Sequence, residues 1–252
     1  MPIITLLTDF GTTDSYVGEL KGVLCSRAPA ATLIDVTHTI APGDVAAAAY
    51  VLARTWVRFP PGTVHLAVVD PGVGTAREAL ALRARDHYFV GPDNGIFSGV
   101  IRGAEVEAVS LPTPAGAAPT FHGRDVFAPA AARLAVGAGL ESLGQRFTGI
   151  PRRVSGSVPH YEGKVLVGEV IYIDRFGNLV TNFAAELVPP HAMLEVEATT
   201  IGPVRSTFGD VPSGGLLAYM GSGGMIEIAV RNGSAARRLG LGVGGKIRAR
   251  LG

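Results

Sequence analysis

The strongest constraint in this chain of 252 residues is an alternation that runs through its first 140 or so positions. Short runs that are apolar on both faces take turns with segments long enough to be helices. Residues 3–8 (IITLLT) have no apolar/polar alternation, so both faces of such a strand must be covered. A polar loop and a helix over 14–27 follow, then a strand over 32–36, a helix over 43–58 and a strand over 64–69. Residues 79–84 and 88–90 read as a hairpin around Arg85-Asp86, and 95–102 and 126–136 as helices. Strands buried on both faces and separated by helices predict a mostly parallel sheet in an α/β domain.

The texture then changes. Residues 137–159 are rich in Gly, Pro, Ser and Arg, including Pro151-Arg152-Arg153, in the manner of a linker. Beyond it lie short extended segments at 164–173, 178–181, 192–198, 216–220, 225–230 and 246–251, separated by Gly and Asn turns. These predict a small barrel or sandwich. The expected division is an α/β domain over 1–157 and a smaller β domain over 158–252.

Composition removes several functional classes. The net charge is +1 and the basic residues, nearly all Arg, are scattered; a nucleic-acid partner calls for a basic cluster. The single cysteine, Cys25, forbids an intrachain disulfide and reads as a small buried hydrophobe. The N-terminus MPIITLLTDFG lacks the basic region of a signal peptide, and no apolar run reaches the roughly 18 residues a membrane helix needs. A cytoplasmic protein with no membrane partner is expected.

Ligands of open α/β sheets bind where strands end. Three polar loops leave expected strand ends or precede a helix: Asp9-Phe10-Gly11-Thr12-Thr13-Asp14, Asp70 to Arg77, and Phe121-His122-Gly123-Arg124-Asp125. Each has a structural reading, since Asp14 and Asp125 suit helix caps and Asp70-Pro71-Gly72 suits a turn. Common cofactor signatures are missing. DFGTTD carries one glycine where a dinucleotide loop needs three. The Gly-rich stretch ending at Lys246 continues with Ile247, not Ser or Thr, and leaves no room for the helix of a phosphate loop. The six histidines show no metal-binding spacing, and no Gly-x-Ser-x-Gly elbow occurs.

Taken together, TDFGTTDSYVGELKGV, DVTHTIAPGDVAAAAYVL, VVDPGVGTAREALAL, GPDNGIFS, PTFHGRDVFAPAAARLA and IDRFGNLVTN resemble the S-adenosylmethionine hydroxide adenosyltransferases, relatives of the fluorinase and chlorinase. The resemblance runs in order along essentially the whole chain. It implies an N-terminal α/β domain, a C-terminal β-barrel, and a homotrimer whose active sites lie between subunits. It implies hydrolysis of S-adenosylmethionine to adenosine and methionine, with no cofactor and no metal. Asp70, Arg77 and His122 match the family's water-activating triad, and Asp9 the carboxylate that grips both ribose hydroxyls. Phe121 matches the ribose pocket and Asp174 the methionine-ammonium contact. Phe176 and Asn178 match the adenine contacts, Asn232 the adenine edge, and Ser222 the methionine-carboxylate contact.

The departures from the halogenases point the same way. Asp70 stands where the fluorinase has Tyr, His122-Gly123 where it has Tyr-Ser, and Gly43 where it has Trp. Gly223 stands where the halogenases carry Arg and bears instead on the methionine-side contacts around Ser222. A halide pocket calls for apolar walls and neutral donors, and the carboxylate of Asp70 would repel the anion. The alternatives are a halogenase of the same superfamily and a non-catalytic sensor of S-adenosylmethionine or adenosine.

Overall fold

The structure, a computed structural model, describes residues 1–156 and 158–252, so the expected boundary at residue 157 itself lies outside the described residues. The chain divides into two compact units, Met1–Val154 and Ser155–Gly252.

The first unit contains β1 (Ile3–Thr8), α1 (Tyr16–Arg27), β2 (Thr32–Thr37), α2 (Val45–Thr55), β3 (Val64–Val68), β4 (Ala79–Ala84) and β5 (His87–Pro92). After these come α3 (Ser98–Ile101), β6 (Val106–Ser110), α4 (Ala128–Ala135) and β7 (Gln145–Arg146). Its seven strands form one sheet in the order β2-β1-β3-β5-β4-β6-β7. β2, β1, β3 and β5 are parallel, and β4, β6 and β7 add an antiparallel flank. The apolar runs lie where their sequence demands: Ile4, Leu6, Val64, Leu66 and Val90 are buried beneath Leu20 and Leu24 of α1 and Leu134 of α4. The β4–β5 hairpin turns through Arg85 and Asp86 at φ 50° and 62°. Positive φ at both central residues is what the tight turn between right-twisted strands requires.

Several expectations shift. α1 begins at Tyr16 with Ser15 at its cap position, and Asp14 does not cap it. Asp44 caps α2, accepting the Ala47 N–H at 2.9 Å. Asp125 is no cap either; it lies inside a wide π-type turn, Gly123–Phe127, that leads into α4. Cys25 is exposed. The buried stripe of α1 runs through Val17, Leu20 and Leu24, and position 25 points about 100° away from Leu24. β6 escaped the sequence reading because Val106, Glu107 and Ala108 alternate over too short a run, and its pairing with β4 supplies the missing support.

The second unit contains β8 (His160–Glu162), β9 (Val165–Ile173), β10 (Leu179–Ala184), β11 (Met193–Val196), β12 (Thr199–Gly202) and β13 (Val204–Arg205). It continues through β14 (Leu216–Met220), β15 (Met225–Val230), α5 (Ala235–Leu239) and β16 (Lys246–Arg250). The sheet follows the path β12-β11-β16-β9-β10-β15-β14-β13, with β8 on β9. Its far ends return toward each other, β12 packing beside β14, so the sheet is barrel-like and nearly closed. β16 shows the logic: in KIRAR, Ile247 and Ala249 are buried while Lys246, Arg248 and Arg250 face out. Leu166, Leu179, Phe183, Ile226 and Ile228 complete this core. Among the described residues, no helix is long and apolar enough to cross a membrane.

Candidate active site

Strand order determines where a crevice opens. From β1 the chain leaves toward β2 on one side; from β3, the neighbour on the other side of β1, it leaves the opposite way toward β4 and β5. Connections that leave neighbouring strands in opposite directions leave a cleft at the strands' carboxyl ends. β1 and β3 are in register to Thr8 and Val68. Asp9 therefore follows directly on one strand and Asp70 arrives two residues after the other. A cavity of about 330 Å³ opens there, with Asp9, Phe10, Gly43, Asp70, Phe121 and His122 in its wall.

The loop after β3 folds back on itself. Val73 N–H donates to the Asp70 carbonyl at 3.2 Å, and the Thr75 hydroxyl to that of Gly72 at 2.7 Å. Gly74 adopts φ +77°, and a Cβ there would lie 2.8 Å from the Pro119 carbonyl oxygen. Only glycine lets this loop close against the segment that carries His122. Arg77 is thereby delivered between the two other polar groups. Its Nε donates to Asp70 Oδ1 and Oδ2 at 3.1 and 3.0 Å, and its Nη2 to Oδ2 at 2.5 Å. The same Nη2 lies 3.0 Å from His122 Nδ1. The guanidinium also stacks over Phe127, 5.2 Å from the ring centre.

Proton bookkeeping follows from these contacts. A guanidinium has no lone pair to offer, so His122 Nδ1 is the acceptor, and a neutral ring then carries its proton on Nε2. His122 is buried. Burial pushes its pKa down and Arg77 pushes the same way, against opposing effects of Asp70 and Asp125. The side chains of Asp70 and Arg77 are only 6% and 7% exposed, so the pair interacts in a poorly screened setting. Arg77 is absent from the cavity wall. It stands behind Asp70 and His122, tying them together, while those two face the space. The resemblance implied only that Arg77 belongs with Asp70 and His122; that it binds both at once is a finding of the structure.

Asp9 is held by a different loop. Its Oδ2 accepts the Gly43 N–H at 2.8 Å. Phe121 packs edge-on against Phe10 at 5.7 Å and Tyr16 at 5.3 Å, and Arg124 caps its other face at 5.0 Å. Five of the expected site residues, Asp9, Asp70, Arg77, Phe121 and His122, thus gather at one sheet edge.

The second unit assembles its own cluster. Asp174 closes the loop between β9 and β10: Oδ1 accepts the N–H groups of Phe176 and Asn178, both at 2.9 Å, and Oδ2 accepts the Asn178 side-chain amide at 2.8 Å. Phe176 stands out from that loop, 74% exposed. Gly177, at φ +82°, presses against Ser234 so closely that a Cβ would lie 2.0 Å from its hydroxyl. Its carbonyl accepts the Ala236 N–H at 3.0 Å. This contact docks the 231–234 loop, with Asn232 at φ 60°, beside Phe176 and Asn178. Ser222 is not brought here. It lies in the turn between β14 and β15, whereas Asn232 follows the opposite end of β15. The length of that strand puts roughly 20 Å between them. Among the described residues no group of three or more His, Cys, Asp and Glu is placed to hold a metal ion.

Comparison with known proteins agrees with this layout. Residues 4–144 match the SAM hydroxide adenosyltransferase N-terminal domain and residues 168–248 the corresponding C-terminal domain. An (R)-S-adenosyl-L-methionine hydrolase of Thermus thermophilus is 43% identical over 97% of this chain and 98% of its own length. One from Salinispora arenicola is 41% identical over 100% and 98%. A fluorinase of Nocardia brasiliensis is more distant, 30% identical over 100% and 97%. The crystal structure of an uncharacterized conserved protein from Thermotoga maritima superposes with a TM-score of 0.91 at 37% identity, covering 99% of both chains. With both domain families matched in order and relatives aligned along their full length, the chain belongs to the SAM hydroxide adenosyltransferase family.

Proposed function

We propose that this protein hydrolyses (R)-S-adenosyl-L-methionine to adenosine and L-methionine. Water attacks C5′ of the ribose from the side opposite sulfur; the C5′–S bond breaks, its electron pair leaves with methionine, and one proton leaves the water. The observation that carries this reading is the clasp in which Arg77 binds Asp70 and His122 at once beside a cavity that also holds Asp9. The full-length relatives named as (R)-S-adenosyl-L-methionine hydrolases support the substrate and its epimer.

Sulfonium is already a good leaving group, so the difficulty lies with the nucleophile. Hydroxide at neutral pH is about 10⁻⁷ M because the pKa of water is about 15.7, and each unit of lowering takes about 1.36 kcal/mol of preferential stabilisation. The proton bookkeeping divides the labour. His122 has only Nε2–H left to offer, so it donates to the water oxygen and stabilises the growing negative charge. Asp70 keeps acceptor capacity beyond its guanidinium contacts, since a carboxylate offers about four acceptor sites, and it takes the proton. Arg77 acts through both, as a positioning group and a fixed positive charge. Base assistance of this kind contributes roughly 10²–10⁴-fold, whereas holding water in line with C5′ contributes about 7–11 kcal/mol. Positioning is the larger effect.

Asp9 accepts the two ribose hydroxyls, fixed for that task by Gly43, and Phe121 flanks the sugar. Asp174 meets the methionine ammonium, Phe176 and Asn178 receive adenine, and Asn232 reads its edge. These residues act in a homotrimer with each site shared between subunits, and the exposed Phe176 ring supports a partner at that surface. Ser222 falls outside this assignment, because the methionine carboxylate and ammonium share one carbon and a tail held at Asp174 does not span β15 to the β14–β15 turn.

The test is turnover in H₂¹⁸O. The reading expects label in the 5′-hydroxyl of adenosine and faster consumption of the (R) epimer, with Asp70→Ala and His122→Ala each slowing kcat at least about 10²-fold. Unlabelled adenosine, or a 5′-halogenated product in chloride or fluoride, would refute it.

A further inference from the structure

The exit of β1 is held by a residue that the reaction does not use. Regular pairing between β1 and β2 breaks just before the site: Leu6 pairs with Asp35, but Leu7 pairs with Thr37, so the register skips Val36. Beyond that slip the two chains are joined by His38. Its carbonyl accepts the Gly11 N–H at 2.7 Å. Its Nδ1 lies 2.8 Å from the Thr8 hydroxyl, whose oxygen in turn receives the Phe10 N–H at 3.2 Å. One residue therefore grips the chain immediately before and immediately after Asp9-Phe10.

The protons settle the direction of this chain. Thr8 has two lone pairs and one proton, so its own contacts leave both directions open; the carboxylate beside Nε2 can only accept, which places the proton of a neutral ring on Nε2 and makes Nδ1 the acceptor of the Thr8 hydroxyl. Nε2 faces Asp35 Oδ1 at 3.2 Å, and Asp35 is itself bound by Lys21 at 2.7 Å. That contact is off the line of a good hydrogen bond, and His38 Nε2 is the buried side-chain nitrogen or oxygen among the described residues without a well-formed one. Thr8 is fully buried and His38 nearly so. A ring kept in the interior with one nitrogen poorly satisfied calls for an explanation, and what its other contacts accomplish is to fix the Asp9 loop.

We propose that His38 is a positioning residue for the ribose-binding carboxylate, holding Asp9 through Thr8 and Gly11 so that it meets the paired sugar hydroxyls. The inference rests on the ribose-gripping role of Asp9 given above, but its test does not require turnover. Adenosine and 2′-deoxyadenosine are titrated calorimetrically into the wild-type protein, His38→Ala, His38→Asn and Thr8→Val, with the fold of each checked by the fluorescence of Trp56. The wild type should favour adenosine by about tenfold or more, a difference on the scale of one well-made hydrogen bond. His38→Ala and Thr8→Val should bring the preference to within about threefold of unity. His38→Asn, whose amide oxygen can take the place of Nδ1, should restore it. If His38→Ala does not fold, Thr8→Val against the wild type decides. An unchanged preference in the folded variants, or none in the wild type, overturns the inference. A preference that behaves as stated without conversion of S-adenosylmethionine would overturn the hydrolase reading alone.

Discussion

Acid should unfold the first unit through a histidine that lies far from chemistry. His65, 1% exposed, sits on β3 with its Nδ1 2.8 Å from the Thr5 hydroxyl and its Nε2 3.1 Å from His87 Nδ1. Its ring also stacks on Phe89 at 4.9 Å. Burial, reinforced by His87, lowers its pKa from 6.5 to about 3. A pKa lowered on folding means that the unfolded chain binds the proton first. The stability it contributes is therefore complete above about pH 6.5 and is lost as the pH falls toward 3. Over that window the slope is about 1.36 kcal/mol per pH unit, so by about pH 4.5 the loss is about 2.7 kcal/mol. That is a large share of the roughly 5–15 kcal/mol that keeps a domain folded, and His87, also shifted down by burial, adds to it. Urea unfolding followed by Trp56, the single tryptophan, measures this directly, because its indole lies 5.2 Å from the His87 ring and reports on the first unit alone. His65→Gln keeps some hydrogen bonding and should cost about 1–3 kcal/mol at neutral pH. Its stability should then decline less steeply with acid than that of the wild type, by about one proton's worth of slope. Parallel lines for the two proteins between neutral pH and about pH 4.5 would refute the argument.

Further outcomes concern the site. The NMR titration of His122 should lie below the ordinary histidine range, and Asp70→Asn should move it lower still, because the Asp70 carboxylate opposes the effects of burial and Arg77; a shift toward higher pH contradicts the clasp. Gly177→Ala places a methyl group against Ser234 in a backbone conformation that resists side chains. It should raise KM for S-adenosylmethionine about tenfold or more while leaving Trp56-monitored unfolding unchanged, and an unaltered KM would mean that the two loops need not be docked.

Much of this was readable in the chain because the signals were local. Runs such as Ile3–Thr8 fix a buried strand by themselves, and Asp9 and Asp70 were conspicuous as charges placed where apolar runs stop. What was hidden depended on contacts remote in sequence. β6 is too short to announce itself, and β12 follows a turn at Glu197 with φ 50° that no Gly or Asn marks. Arg77 was legible as a partner of Asp70, but its retreat behind the wall depends on Gly74 meeting Pro119. Asp174 was matched to a ligand contact by resemblance alone, and the structure shows both its oxygens organising their own loop. His38 lies within a segment that carries the resemblance, but nothing local marked its role, since its partners Thr8 and Gly11 lie on another strand's exit.

The clasp also bears on why this site should prefer a sulfonium to a halide. With His122 neutral, Asp9 and Asp70 outweigh Arg77, and these four side chains carry a formal charge of −1. A cation is drawn into such a cavity and an anion is opposed, the more so because Asp70 and Arg77 are screened from solvent. Hydrolysis removes the attraction: the sulfonium becomes a neutral thioether, and nothing positive remains beside C5′ to hold methionine there. Hydroxide escapes the exclusion that a halide meets because it need never enter as an anion. In the proposed mechanism water arrives neutral, and its charge develops only beside His122 Nε2–H with its proton on Asp70. A carboxylate in the nucleophile's place thus selects against anions that must be bound and for one that can be made on the spot.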